Sequence, residues 1–301
     1  MMNLIKRTLF LHLFLLRDVL AGIDVTDLWS FLVMPDQHVF TPFSFGGIDV
    51  PESEMQQVWN ESKIVLQHIR SNFGGDLVMM SGDSASYGTM NNDEFAEKLG
   101  YPIEQVDEAI YEGGKNCYRA IRDLFSISGY DTILSCVGDH EIGGNRGFKF
   151  EGKNSKLLTV PSYRRAFGDG FNKAEDGSFL FDVPIGDAPS RPMGSIYEDT
   201  SFAYVHKNAL FVTVDVFKNV GEFNFIDREN GLGGEGAITC DVSDDHLEWF
   251  ERILMQSQLD KSIKHIFVQG HVPIVQVSLS PSFCFVTTSV GGLTLNFIFS
   301  Q

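Results

Sequence analysis

An α/β fold is predicted for this chain by three observations. Between Phe31 and Val137, short apolar runs of strand length alternate with long segments of helical period, in the order strand, helix, strand, helix, strand. Four apolar runs, three in this region and one far downstream, each deliver an Asp or a His just past their ends. In open α/β sheets the rim at the carboxyl ends of the strands is where ligands bind, so these side chains are candidates for one site. The chain has 301 residues and 26 Phe, enough for a well-filled sandwich core in one large domain or two small ones.

Residues 1–21 are expected to be a signal peptide. Lys6 and Arg7 supply a positive start, Leu9 to Leu16 is apolar except for His12, and Val19 and Ala21 stand three and one residues before a cleavage after Ala21. The other reading is an N-terminal helix kept in the mature fold. The apolar core is too short for a stable membrane span, so the expected location is secreted or the endomembrane lumen. The first strand, Phe31 to Met34, ends in Pro35, Asp36, Gln37 and His38. Pro51 to Phe73 reads as a helix, with Met55, Val58, Trp59, Leu66 and Ile69 at helical spacing, Pro51 in the first turn and Gly74-Gly75 as the stop. His68 on it reads as a surface or packed residue, and Asn60-Glu61-Ser62 is a glycosylation sequon.

The second strand, Leu77 to Met80, runs into Ser81, Gly82 and Asp83. Tyr101 to Phe125 is the second long helix, striped by Ile103, Val106, Ile110, Ile121, Leu124 and Phe125, with Gly113-Gly114 placed to split it. Ile133 to Val137 is a buried strand that breaks at Gly138 and delivers Asp139, His140 and Glu141 together. Residues 146–194 are irregular, with a short helix expected from Pro161 to Phe167; they follow the His140 loop and can overhang the site, which makes Arg164 and Arg165 candidate phosphate contacts. Ala209 to Val216 is β-rich, 217–236 is a glycine-rich loop, and Asp241 or Ser243 caps a helix that runs to about Leu259 with acidic residues in its first turn. The fourth strand, Ile266 to Val268, ends in Gln269, Gly270, His271 and Pro273. His246 and His265 read as structural.

A formal charge of -17 argues against a diffuse electrostatic grip on nucleic acid. Cys117, Cys136, Cys240 and Cys284 allow three full pairings and lack Cys-x-x-Cys spacing, so a thiolate zinc site is not expected; Cys136, inside a core strand, reads as a buried free thiol. Carboxylate and imidazole together are the oxygen and nitrogen ligands suited to zinc, manganese or iron. The order Asp36-x-His38, Gly82-Asp83, Gly138-Asp139-His140-Glu141 and Gly270-His271 before Pro273 resembles the calcineurin-like metallophosphoesterases, which include the purple acid phosphatases. Ser201 to Tyr204 with Ala209 to Asp215 resembles that family's edge hairpin, and His246 to Phe250 its helix ahead of the Gly-His strand. The resemblance covers residues 28–275.

It implies a four-layer αββα sandwich and a metal-dependent phosphoric ester hydrolase with a phosphate ester as substrate. It also implies two divalent or mixed-valence ions of Zn, Mn or Fe that share a hydroxide nucleophile. Asp36 and His38 would hold one ion, Asp83 would bridge, and Asp139 and His271 would hold the second. His140 would stabilise or protonate the leaving oxygen, oriented by Glu141.

Three departures stand against the family pattern. Asp139 occupies the place of an Asn, which adds a negative charge. Ser86 stands where a second Asp or, in purple acid phosphatases, a Tyr is found; Tyr87 is one residue late and is read as pocket wall. The expected Gly-His-x-His is absent: His271 is the last histidine, and Val272 to Gln301 holds no Asp, Glu, Lys or Arg. Thirty such residues in a row arise by chance on the order of one time in a thousand at ordinary usage. Residues 276–301 are therefore read as an incomplete or divergent tail, from loss of the motif or because it is not the natural continuation of the domain. Two further readings follow: a member of the fold that no longer hydrolyses, whether a binding or scaffold protein or an impaired or truncated copy with no activity, and a metal hydrolase of another ester class.

Overall fold

The computed structural model describes residues 29–34, 52–84, 100–138, 141, 149–150, 153–154, 156–219, 238–240, 242, 244–271, 283–290 and 293–300. It is mixed α/β with two main sheets. The first is parallel throughout, β1 (Phe31–Met34), β2 (Leu77–Met80) and β3 (Ile133–Ser135) in that spatial order, with Phe31 beside Leu77 and Val78 beside Ile133. Parallel neighbours need long crossovers. They are α1 (Glu52–Phe73) and α2 (Val106–Ser126), the latter preceded by a 3-10 turn at Ile103–Gln105. Both helices and all three strands fall within the segments that hydrophobic periodicity marks, but the second helix begins at Val106 rather than Tyr101 and the third strand ends at Ser135 rather than Val137. The consequence is geometric: Met34, Met80 and Ser135 end on the same rim, so the segments that follow them start side by side.

The second sheet is mixed, in the order β11-β12-β10-β7-β6, with β6 (Phe202–His206), β7 (Ala209–Thr213), β10 (His265–Gly270), β11 (Phe283–Val290) and β12 (Leu293–Ser300). β6 and β7 form the antiparallel hairpin, and β10 runs parallel to both β7 and β12. The uncharged tail therefore builds a hairpin, β11 against β12, whose second strand pairs with β10 from His265 to Gly270. Two short antiparallel pairs complete the described strands: β4 (Lys149–Phe150) with β5 (Lys153–Asn154), and β8 (Phe217–Asn219) with β9 (Ile238–Cys240). The remaining described helices are α3 (Lys156–Phe167), which runs into a π-turn at Gly168–Asn172, and α4 (Asp244–Leu259).

Strand alternation sorts the core. Val33, Leu77, Met79 and Leu134 of the first sheet share one buried cluster with Phe202, Ala209, Phe211 and Phe267 of the second. Three rings interlock there: Phe31 meets Phe211 at 5.3 Å and Phe267 at 4.8 Å between centroids, and Phe211 stacks on Phe267 at 5.1 Å. Full burial of such a side chain stabilises by about 1.5–3 kcal/mol. The Gln269 side-chain amide crosses between the sheets, donating to the Leu134 carbonyl at 2.7 Å and to Thr213 Oγ1 at 2.8 Å. Leu32, Met34, Val78 and Met80 point the other way. They belong to a larger cluster that holds Leu66 and Ile69 of α1 and Ile121 and Phe125 of α2, and that also takes in Leu210, Val212, Ile266 and Val268 of the second sheet with Trp249 and Ile253 of α4.

Three local expectations are revised. α2 is unbroken through Gly113-Gly114, because both glycines lie on its buried face; a mid-helix glycine costs about 1 kcal/mol against alanine, less than packing that face contributes. α3 starts five residues before Pro161, so that proline lies inside the helix rather than at its first turn. β7 stops at Thr213, and Val214 carries the pairing one residue further by donating to the Gln269 carbonyl at 2.9 Å. No helix among the described residues is long and apolar enough to cross a membrane.

Candidate metal centre

Three loops converge at the shared rim. The Ser81 amide donates to the Met34 carbonyl and the Cys136 amide to the Met80 carbonyl, at 3.2 and 2.7 Å, so the ladder continues one step past each strand. The chain then turns sharply. Gly82 has φ of 96° and Asp83 φ of 49°. An Asp tolerates the left-handed region better than most residues, and such outliers gather at functional sites. A Cβ on Gly82 would meet His271 Nδ1 at 2.7 Å and the Gly138 Cα at 2.9 Å; one on Gly138 would meet Asp83 Oδ1 at 2.1 Å and Glu141 Oε2 at 2.7 Å. Both glycines are thus fixed by space: the loops after β2, β3 and β10 approach too closely for a side chain.

Glu141 is fully buried and spans two of these loops. Its Oε2 accepts from the backbone amides of Asp83 (2.8 Å) and Gly138 (2.7 Å), and its Oε1 accepts from Ser84 Oγ (3.0 Å). The Tyr118 hydroxyl of α2 reaches the Glu141 carbonyl at 3.4 Å. Asp83 and His271 are 3% and 5% exposed. His271 Nδ1 lies 3.0 Å from the Ser81 carbonyl, which can only accept, so Nδ1 carries a proton. In the neutral ring the lone pair then falls on Nε2, which lies 3.5 Å from Asp83 Oδ2. A lone pair and a carboxylate oxygen held face to face repel unless a proton or a cation sits between them. A carbonyl on the far nitrogen is also the usual way a metal-binding imidazole is oriented. The oxygen and nitrogen donors fit a borderline divalent metal.

Of the residues expected at the site, the structure thus brings Asp83, Glu141 and His271 together. Asp36, His38, Asp139 and His140 lie outside the described residues, as do Ser86 and Tyr87. Among the described residues no group of three or more His, Cys, Asp or Glu side chains is arranged to hold a metal ion. Ser84 and Tyr118 are not singled out by sequence reasoning. Ser84 carries a faint signal, a hydroxyl directly after the Gly82-Asp83 turn; Tyr118 carries none beyond its place on the buried face of α2.

Arg164 is not a phosphate contact. It is 4% exposed, its Nε donates to Asp215 Oδ2 at 2.8 Å, its Nη2 donates to the Phe217 carbonyl, and its guanidinium lies 5.0 Å over the Tyr197 ring. Asp215, fully buried, also accepts from Thr200 Oγ1 (2.8 Å) and the Phe217 amide (3.0 Å). Arg165 is exposed and lies 3.7 Å over the Tyr111 ring. His246 belongs to the same neighbourhood as the Arg164 pair. It is 1% exposed and stacks on Tyr197 at 4.2 Å and on Trp249 at 5.7 Å, with neither ring nitrogen hydrogen-bonded among the described residues. Burial pushes its pKa down to about 4, Asp215 opposing and Arg164 adding to the shift. Cys117 and Cys136 are buried, each as a thiol and not in a disulfide. Cys136 lies between the two polar regions, and burial, with Asp215, Glu141 and Asp83 nearby, holds its thiol well above the ordinary range.

No protein-family model matches the chain, and no curated protein matches it.

Proposed function

We propose that this chain is a metal-dependent phosphoric ester hydrolase of the calcineurin-like metallophosphoesterase type, exported from the cytosol. One observation carries the reading. Ser81 and His271 stand 190 residues apart in sequence, yet the imidazole is anchored on that carbonyl and turns its other nitrogen to Asp83. A sandwich in which α1 and α2 cover one sheet, and α4 the other, is the architecture this reading requires. The direct packing of the two sheets and the alternation of their strands support it.

In this reading Asp83 and His271, with Asp36, His38 and Asp139, hold two ions of Zn, Mn or Fe. When bound, such ions polarise a phosphoryl oxygen and lower the pKa of water. The chain's own residues do the rest. Ser81 fixes the His271 tautomer, and the rim loops hold Asp83 in a left-handed turn that needs Gly82 before it. His140 donates a proton to, or stabilises charge on, the leaving oxygen.

The test is turnover of nitrophenyl phosphate, and of bis-nitrophenyl phosphate for diester cleavage, by chelator-treated protein resupplied with Mn or Zn. Turnover that returns with metal and falls in His140→Ala is expected. Turnover indifferent to chelation, or surviving His140→Ala, contradicts the assignment. A non-hydrolysing binding protein is the second reading, favoured by Asp139 and Ser86 standing where the family pattern has other residues; it predicts metal binding without turnover.

A further inference from the structure

We propose that Glu141 is a positioning residue whose carboxylate locks the Asp83 turn to the β3 loop, so that Asp83 meets its metal in a preset geometry. The proposal rests on the phosphoesterase reading for its consequence but not for its geometry. Glu141 joins two loops that are 58 residues apart along the chain: Oε2 accepts from both the Asp83 and Gly138 amides, and Oε1 from the Ser84 hydroxyl. The Asp83 amide cannot serve a regular strand here, because its own residue sits at φ of 49°. A buried N–H must be met by something, and in this turn Glu141 meets it. Hydrogen bonds from amides to a carboxylate are about twice as strong as neutral ones. The clamp therefore opposes release of a turn that is disfavoured on its own. The neighbouring glycine also confines where the carboxylate can lie. Gly138 has no room for a side chain: a Cβ there would meet both Asp83 Oδ1 and Glu141 Oε2.

Such a role is separable from one in which the Glu141 charge orients His140. A glutamine can keep the clamp, its oxygen accepting from the two amides while its nitrogen donates to Ser84 Oγ, which can accept. An alanine cannot. The experiment compares wild type, Glu141→Gln, Glu141→Ala and Ser84→Ala by amide hydrogen exchange at Asp83 and Gly138 and by Mn titration. Expected is strong amide protection in wild type and Glu141→Gln, with Mn affinity within about 10-fold, against lost protection and affinity roughly 10- to 100-fold weaker in Glu141→Ala, the usual scale for residues that support a ligand. Ser84→Ala, which leaves the carboxylate in place, should fall between them and covers the case in which Glu141→Ala does not fold. Unchanged protection in both Glu141→Ala and Ser84→Ala, or Glu141→Gln as damaging as Glu141→Ala, overturns the clamp. Wild type that binds no Mn while showing the expected exchange pattern overturns the phosphoesterase reading and leaves the clamp standing.

Discussion

Two buried polar clusters stand out among the described residues, and their contents differ in kind. Around Asp215 the positive partner is Arg164, a guanidinium, which offers donors only and no lone pair for a metal. The Thr200 hydroxyl and the Phe217 amide fill further positions on that carboxylate, so the pair is closed. Around Asp83 the described ion-pair partner is an imidazole 3.5 Å away, a longer and titratable contact, and a second acid, Glu141, is pinned beside it by backbone amides. The first arrangement serves the fold. The second gathers donor atoms that suit a cation and holds them with glycines too crowded to bear a side chain. In the proposed reading, it is the chemistry of the partner and not burial alone that sets the metal site apart.

Removing one member of each cluster should separate the two most sharply. Arg164→Met leaves Asp215 buried and unpaired and is expected to cost about 3–5 kcal/mol of stability in a urea titration, whereas Asp83→Asn, which removes a charge from a site shaped for a ligand, should change stability by less than about 1 kcal/mol or raise it. Equal losses in the two variants would erase the distinction.

The next effect is a pH dependence that belongs to the structural cluster. The folded pKa of His246 is about 4, below the unfolded value of 6.5. The unfolded chain therefore binds the extra proton first as pH falls, and stability declines from pH 6.5 to 4, on the order of 3 kcal/mol in all. His246→Phe keeps the stack on Tyr197 and Trp249 and should remove that portion of the acid slope in denaturant midpoints measured across this window. A slope unchanged by the substitution would place the titration elsewhere.

Gly138→Ala addresses the other cluster. Its Cβ would lie 2.1 Å from Asp83 Oδ1, so the carboxylate must move. Misplacement on the scale of about 1 Å costs about 100-fold, expected in metal-dependent turnover. Retained turnover would show that the loops are not held at this spacing in solution. The smallest expected effect is Tyr118→Phe, which loses a 3.4 Å bond to the Glu141 carbonyl and should cost about 0.5 kcal/mol, read as a small shift in unfolding midpoint.

Much of this was legible in the residues themselves. Phe31–Met34, Leu77–Met80 and Ile133–Ser135 are apolar runs of strand length between helical repeats, and parallel pairing then puts Asp83 and Gly138 on one rim. The convergence of Asp83 with His271 follows from the same logic, since each residue stands just beyond a strand end. What sequence did not carry was pairing between distant polar groups. Arg164 looks like any basic residue on a short helix until Asp215, 51 residues on, is seen to accept from it. Glu141 reads as a neighbour of His140 because adjacency along the chain is visible, while its bonds to Asp83 and Ser84 are set by the closeness of two loops. The tail's hairpin carries a signal, Leu293-Thr294-Leu295-Asn296-Phe297 alternating apolar and polar after Gly291-Gly292, which the unusual lack of charge in thirty residues overshadows.

The metal-centre reading depends on Asp83 and His271 holding a metal ion between them. Titration of the chelator-treated protein with Co, followed by its visible absorption, puts that pairing to the test. A saturable band is expected in wild type, lost or greatly weakened in both Asp83→Asn and His271→Ala. A band of equal intensity and affinity in the two variants, or no saturable binding in the wild-type protein, would contradict it.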